Sequence, residues 1–408
     1  MKFSKSSGQL LLVALIGLVV ATLLSACQLV TIDYLYVAGS HSGTQGTNGA
    51  IQVFAVDSQS GAIRFAAGTD KSPFATGGQT PVAMALTSDE ANLYVANADN
   101  NTVVHFAIAS DGSLSKKDSV TLADSPTALA VNQANTFLYV VSGATTATLT
   151  EYSIKGGALG SATATQPLLI PGYGGDITVP TGVAVLPNDK AVYATVYDQS
   201  SYNPGGTVTS SAHPGWVFSY GVDSGGALTA PAGNPFQAGV KPSAVAVDPT
   251  NRFVYVTDYA SNQLIGYGIT NESSLSFLIS GPFRSGAEPS AVTVDPRGKY
   301  IYVSNALDST VSAYAIDLAT GIPSAVLNVT GSQVNASDTQ PVAVAVEPAL
   351  GRYVYTANYL GNSISGFRLN PNTGALNQTQ ATPYPSESKP RAIVIIPHGN
   401  HSIQTTTP

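Results

Sequence analysis

The side chains of this 408-residue chain that could carry acid–base, metal or covalent chemistry are five histidines, one cysteine, twenty-four carboxylates and seventeen cationic residues. His41, His105, His213, His398 and His401 include no pair at the spacing of a zinc site, although His398 and His401 together could chelate weakly. Cys27 has no second cysteine to pair with. A glycine-rich phosphate loop after a strand and a Gly-x-Ser-x-Gly elbow are both missing, so nucleotide and serine-nucleophile chemistry have no motif to rest on. Asn97-Ala98-Asp99-Asn100-Asn101 offers oxygens for calcium without the full ligand series. No metal and no cofactor is expected. What remains is the chemistry of recognition. Tyr197, Tyr202 and His213 share one long irregular segment, while Asp258-Tyr259, Asn305 with Asp308, and Asn358-Tyr359 occupy three shorter ones. Tyrosine planes beside Asn, Asp and Ser can stack on a sugar ring while hydrogen-bonding its hydroxyls, and Arg391 can hold an acid group. These are the expected ligand contacts, with His213 read as an exposed loop residue before it is read as a catalytic base.

The elements that must position them follow from composition and repetition. Of the residues 44% are hydrophobic and only 10% charged, so the chain folds. Beyond the first thirty residues there is no long helical periodicity, whereas short runs of Val, Ile, Tyr and Thr recur between Gly, Pro, Asn and Asp clusters. The body is therefore all-β. One unit, PSAVAVDPTNRFVYVTDYASNQLIGYGITNESSL from Pro242, returns from Pro289, Pro341, Pro81, Pro126 and Pro180, at spacings of 45 to 62 residues. Each copy parses as strand a (SAVAV), a turn, strand b (FVYVT), a loop, strand c (QLIGYGI), a turn and strand d, which is a propeller blade. Asp248, Asp295 and Glu347 fall in the a-to-b turns and are read as turn residues.

Seven strands b are expected, near Tyr34, Leu93, Leu138, Val192, Val254, Ile301 and Val354. Seven strands a are reached only if Pro390–Ile396 supplies the last, so the C-terminal strand joins the N-terminal blade and removes the open edges. A seven-bladed β-propeller is expected over residues 34–396, with a polar tail at 397–408. The irregular b-to-c loops gather on one face, which is where a rigid scaffold usually presents its function. Phe74, Phe236, Phe283 and Tyr384, each after a proline and before the next blade, are expected to plug the gaps between blades, as is Trp216.

At the N-terminus, Lys2 and Lys5 precede an apolar run from Leu10 to Leu24, and Leu24-Ser25-Ala26-Cys27 reads as a bacterial lipobox. Residues 1–26 are expected to be a lipoprotein signal, Cys27 the lipidated residue, and 27–33 a short tether. That places the domain in the cell envelope, bound to a membrane through its lipid. A net charge of −7 with no basic cluster argues against nucleic acid as a partner. A monomer is expected, meeting an envelope protein or a glycan.

The repeats, with Tyr-Val-Thr-Asp at 255–258 and Tyr-Val-Ser-Asn at 302–305, resemble the YVTN propellers and the related lactonase-type seven-bladed propellers, among them propeller 6-phosphogluconolactonases. In that group one blade typically opens with Pro-Arg-His and carries Asn-Glu-Leu then Ser-Thr-Val after strand b. The resemblance implies that such Arg, His and Glu side chains hold an acidic substrate and move protons. The blade from Pro289 keeps Asn305, Leu307, Ser309, Thr310 and Val311, but Ser290, Ala291 and Ala306 stand where Arg, His and Glu would be. Arg391 keeps a Pro-Arg pair without the His. Lactone opening needs a base for water and a group for the oxyanion. The resulting expectation is a non-catalytic binding or scaffold module for a protein, peptide or glycan. The alternative is a lactone hydrolase whose catalytic groups have moved, with Asp258, Asp308, Arg391 and His213 as replacements.

Overall fold

The computed structural model describes residues 30–40, 48–66, 72–172, 177–202, 207–209, 212–328 and 330–399. The signal segment, Cys27, His41, His401 and the end of the polar tail lie outside the described residues.

Seven antiparallel sheets form a seven-bladed β-propeller, each with four strands in the order d-c-b-a; blade I holds the strands of residues 31–65 with the closing strand Ala392–Pro397, and blades II to VII open with the strands a at Pro81–Leu86, Pro126–Val131, Thr178–Val185, Pro242–Val247, Pro289–Val294 and Pro341–Val346. Blade V shows why these residues make strands. Phe253–Asp258 (strand b) is buried throughout, so both faces of its pleat take large side chains, and Val, Tyr and Phe suit that position. It pairs with Pro242–Val247 (strand a) and Gln263–Thr270 (strand c), in registers that place Val245 opposite Val256 and Val256 opposite Ile265. Strand a is only half-buried, because its inner side lines the channel. Consecutive strands a also touch one another around the whole ring, from Pro81–Leu86 through to Ala392–Pro397 and back. Strands d lie outermost and are mostly exposed, as in Leu114–Thr121, where Leu114 alone is buried.

Ala392–Pro397 pairs with Thr31–Ser40, placing Val394 opposite Tyr36. The ring therefore closes through the C-terminal strand, as the repeat count implied. The first strand begins at Thr31, so residues 31–33 belong to the fold. In five blades a further strand of two or three residues pairs with strand c, and four of these carry the plug aromatics. Phe74 is buried in the core shared by blades I and II, and Tyr384 in that shared by blades VII and I. Phe236 and Phe283 are half-buried. Trp216 opens strand c of blade IV (Trp216–Val222) and packs against the core between blades III and IV.

The turn residues act as expected. Asp248 accepts from the backbone N–H groups of Thr250, Arg252 and Phe253, Asp295 from Lys299 and Tyr300, and Glu347 from Leu350 and Arg352. Neighbouring blades are pinned by a repeated bond: a strand-b tyrosine donates its hydroxyl to a glycine carbonyl in the c-to-d turn of the next blade. The pairs are Tyr36 to Gly112, Tyr94 to Gly157, Tyr255 to Gly321, Tyr302 to Gly374 and Tyr355 to Gly61. Among the described residues no helix is long and apolar enough to cross a membrane.

Candidate functional site

In blades II to VII the register slips by one residue just after the proline that opens strand a. Such a bulge re-aims the extra side chain. The residues placed there, around the mouth of the channel, are Val82, Thr127, Thr181, Ser243, Ser290 and Val342. Three of their hydroxyls are tied to the frame. Thr181 meets the Thr195 hydroxyl at 2.8 Å, Ser243 donates to the Pro289 carbonyl at 2.6 Å, and Ser290 to the Pro341 carbonyl at 2.7 Å. In blade I the matching residue is Arg391.

Immediately before each of these prolines stands a second ring: Thr80, Ser125, Val179, Lys241, Glu288, Gln340 and Lys389. Four of its members, Thr80, Glu288, Gln340 and Lys389, hold φ between 51° and 58°, a left-handed backbone that bulky residues avoid. Strain of this kind is concentrated where a site is being shaped. Half of the ring is neutral and short. The other half, from blade V round to blade I, carries two lysines and a carboxylate, with Arg391 beside them.

The b-to-c loops bring tyrosines onto these charges. The Lys241 ammonium lies 3.8 Å from the centre of the Tyr202 ring, 4.2 Å from Tyr259 and 5.5 Å from Tyr197. Burial lowers the Lys241 ammonium below its usual value, against the opposing charge of Glu288. Tyr259 donates its hydroxyl to Glu288 Oε2 at 2.5 Å, and its own titration is pushed up by burial and then by that carboxylate. Tyr202 meets Tyr259 edge to face with centroids 5.9 Å apart. Across the mouth, Arg391 lies over Tyr359 at 4.7 Å and donates to its hydroxyl at 3.1 Å, with Lys389 at 5.9 Å from the same ring.

The structure thus gathers Tyr197, Tyr202 and Tyr259 around one cation, and Tyr359 with Arg391. Asp258, Asn305 and Asn358 are not delivered to the surface: all three are fully buried at the ends of strands b. Asp258 accepts from the backbone of Val240 and Lys241 and from Gln263, so it sets the approach of Lys241 and is unavailable to a ligand. Asn305 and Asn358 donate to hydroxyls on their own strands c, at Ser312 and Ser365. Exposed Asp308 accepts from the Ala287 N–H on the outer side of the mouth. His213 is not a plain loop residue, since its Nδ1 lies 2.7 Å from Asp198 Oδ2. Burial alone would raise the Asp198 carboxyl, but hydrogen bonds from Ser200 and His213 hold it below the usual carboxylate range.

Residues 109–403 match the profile of the family described as lactonase, 7-bladed beta-propeller, which is well over half of the chain. The chain belongs to that lactonase family. Among solved structures, a periplasmic gluconolactonase of Pseudomonas aeruginosa superposes with a TM-score of 0.71 at 18% identity, covering 90% of this chain and 99% of that one. A putative 6-phosphogluconolactonase of Bacteroides fragilis gives 0.71 at 17%, covering 90% and 98%. At such identities the likeness is one of fold. No curated protein matches in sequence. Within the lactonase frame the blade from Pro289 offers only a tied Ser290 hydroxyl, Ala291 and a buried Ala306. The charge at this mouth comes instead from Lys241, Glu288, Lys389 and Arg391. Three of these escaped the sequence reading, and the signal that would have found them is the residue just before each blade-opening proline, compared around the ring.

Proposed function

We propose that this protein binds an acidic sugar lactone at the mouth of its channel and opens the ring by hydrolysis. The observation that carries the reading is the gathering of three cations, Lys241, Lys389 and Arg391, with Glu288 along the blade V to blade I side of the mouth, in a chain whose net charge is −7; the further carboxylates there, Asp99 and Asp308, are spent on the Thr80 hydroxyl and the Ala287 N–H. Cations placed in a partly dry mouth draw an anionic ligand and stabilise the oxyanion of ring opening. Tyr197, Tyr202 and Tyr259 give the sugar ring its stacking surface, and Glu288 accepts the proton of the attacking water. Membership of the lactonase family favours this reading over a pure scaffold.

The test is turnover of 6-phosphogluconolactone and gluconolactone by the purified full-length protein, compared with spontaneous opening. Enhancement that falls on Lys241→Gln or Arg391→Gln supports the reading, and none above the blank ends it. Ser290, Ala291 and Ala306 favour a second reading, in which the mouth binds such acids without turning them over. Calorimetric binding of 6-phosphogluconate with no lactone turnover would select it.

We further propose that Cys27 carries a lipid which anchors the fold in the cell envelope. The Val30 carbonyl accepts from Ser58 N–H in the c-to-d turn of blade I, so the chain leaves from the face opposite the mouth. The mouth then opens away from the membrane. Loss of membrane fractionation on Cys27→Ala is the expected result.

A further inference from the structure

The long b-to-c segment after Ala191–Asp198 is found in blade IV alone, and it lays His213 over the flank of blade V. There it borders a pocket of about 350 Å³ whose apolar wall is Pro214, Val240, Ile265, Phe277, Leu278 and Pro282. That volume is enough for a small organic ligand. Blades VI and VII are polar at the matching place. Ile265 occupies the strand-c position that is Ser312 in blade VI and Ser365 in blade VII. Those serines accept from the Gly286 and Asp338 N–H groups and tie strand c to the segment that leads into their own blade. Ile265 makes no such link, and the space beside it is apolar. A polar groove of about 570 Å³, bordered by Asn262, Arg284 and Asp308, adjoins the pocket through Gln263 and Pro282, which line both.

The chemistry at the pocket's edge is that of a base held in place. Asp198 is fully buried and is fixed by Ser200 N–H at 2.9 Å as well as by His213. His213 Nδ1 lies 2.7 Å from that carboxylate, which fixes the orientation of the ring. Gln263 spends one amide proton on Asp258 Oδ2 at 3.0 Å and has a second for an oxyanion. We propose that this flank pocket is a second active site, hydrolysing carboxylic esters whose acyl chain fills the apolar part and whose alcohol portion lies along the polar groove. Water attacks the acyl carbon as its proton passes to His213. The tetrahedral intermediate then collapses, the ester C–O bond breaks, and His213 returns the proton to the leaving alcohol. Ester and water give acid and alcohol, with no other reactant. The site shares no proposed catalytic group with the channel mouth, and so stands or falls independently of lactone opening there.

The experiment uses p-nitrophenyl acetate, butyrate and hexanoate with the purified full-length protein. Repeated turnover is expected, with butyrate or hexanoate preferred over acetate. His213→Gln should bring the rate down by about 100-fold or to the blank, the usual scale for removing a general base. Asp198→Asn should do likewise. Should either variant fail to fold, Phe277→Arg changes only an exposed wall residue and should abolish the preference for longer chains. No turnover by the unmodified protein, full activity in folded His213→Gln, or an unchanged chain-length preference in Phe277→Arg would each overturn the proposal.

Discussion

The Tyr355 hydroxyl donates to the Gly61 carbonyl at 2.7 Å, joining the last blade to the first at a point 294 residues apart in sequence. Both groups are out of reach of water, so removing the hydroxyl leaves a buried carbonyl unsatisfied. Tyr355→Phe is expected to destabilise the protein by about 1–3 kcal/mol. In blade IV, Tyr193 makes no such bond, because blade V turns through Asn271-Glu272-Ser273 without a glycine. Tyr193→Phe should be close to neutral. Urea unfolding midpoints of the two variants would show whether the tyrosine acts through its bond or through its ring alone.

Gly61 itself can be no other residue. It holds φ at +68°, and a Cβ there would lie 2.2 Å from Tyr353 Cδ1. Gly156, at φ +56°, has nothing within 4 Å of the same position. Gly156→Ala should therefore carry only the left-handed backbone penalty, about 1–2 kcal/mol, while Gly61→Ala adds overpacking of about 1–3 kcal/mol. Equal melting temperatures for the two variants would contradict this account.

The repeat made the fold legible because each blade must bury the same strand faces, and Pro390–Ile396 could be recognised as the missing strand a by its likeness to Pro242–Val247. The site was less legible. Asp258 and Asn358 end strands b and looked like loop residues, yet at that depth a polar side chain is bound by the frame. Lys241, Glu288 and Lys389 are unremarkable along the chain, being single charged residues before a proline. They acquire meaning only when the ring of strands a sets them around one mouth. The partnership of Asp198 with His213 spans an insertion that no repeat constrains, so no periodicity announced it.

Asp33 and Glu347 place two fully buried carboxyl groups near one another at the base of the propeller. Burial, followed by the charge of Glu347, pushes the Asp33 carboxyl up to about 10, with Glu90 adding to the shift and the Ala349 N–H opposing it. An unfolded Asp titrates near 3.9. Between roughly pH 4 and 10 the folded state therefore holds one proton more than the unfolded state, and this group makes stability fall as pH rises, by up to about 1.4 kcal/mol per unit. Asp33→Asn removes the titration. The gain in melting temperature of Asp33→Asn over the unmodified protein should grow from pH 5 to pH 8, and a gain independent of pH would count against the protonated pair.

Lys241 and Arg391 are set apart by their surroundings, and their substitution should separate binding from chemistry. Lys241 sits within a cage of tyrosines at 3.8 to 5.5 Å, a cation already held by the protein, so Lys241→Gln loosens Tyr202 and Tyr259 as well as removing charge. Cation–π contacts of this kind contribute about 0.5–2 kcal/mol each. Arg391 is held from one side by the Tyr359 ring and hydroxyl, which leaves the rest of its planar donor set for a carboxylate or an acyl oxygen. Arg391→Lys keeps the charge and loses the fork. If Arg391 only attracts an acidic ligand, Arg391→Lys should retain most of the affinity while Arg391→Gln loses it. If Arg391 also holds the developing oxyanion, kcat should drop about 100-fold in both variants with KM little changed in the lysine one. Salt discriminates further: an attraction due to the mouth's excess charge weakens between 50 and 500 mM salt by about the ratio that screening dictates, and a salt-independent KM would show that the ligand is not held by its charge.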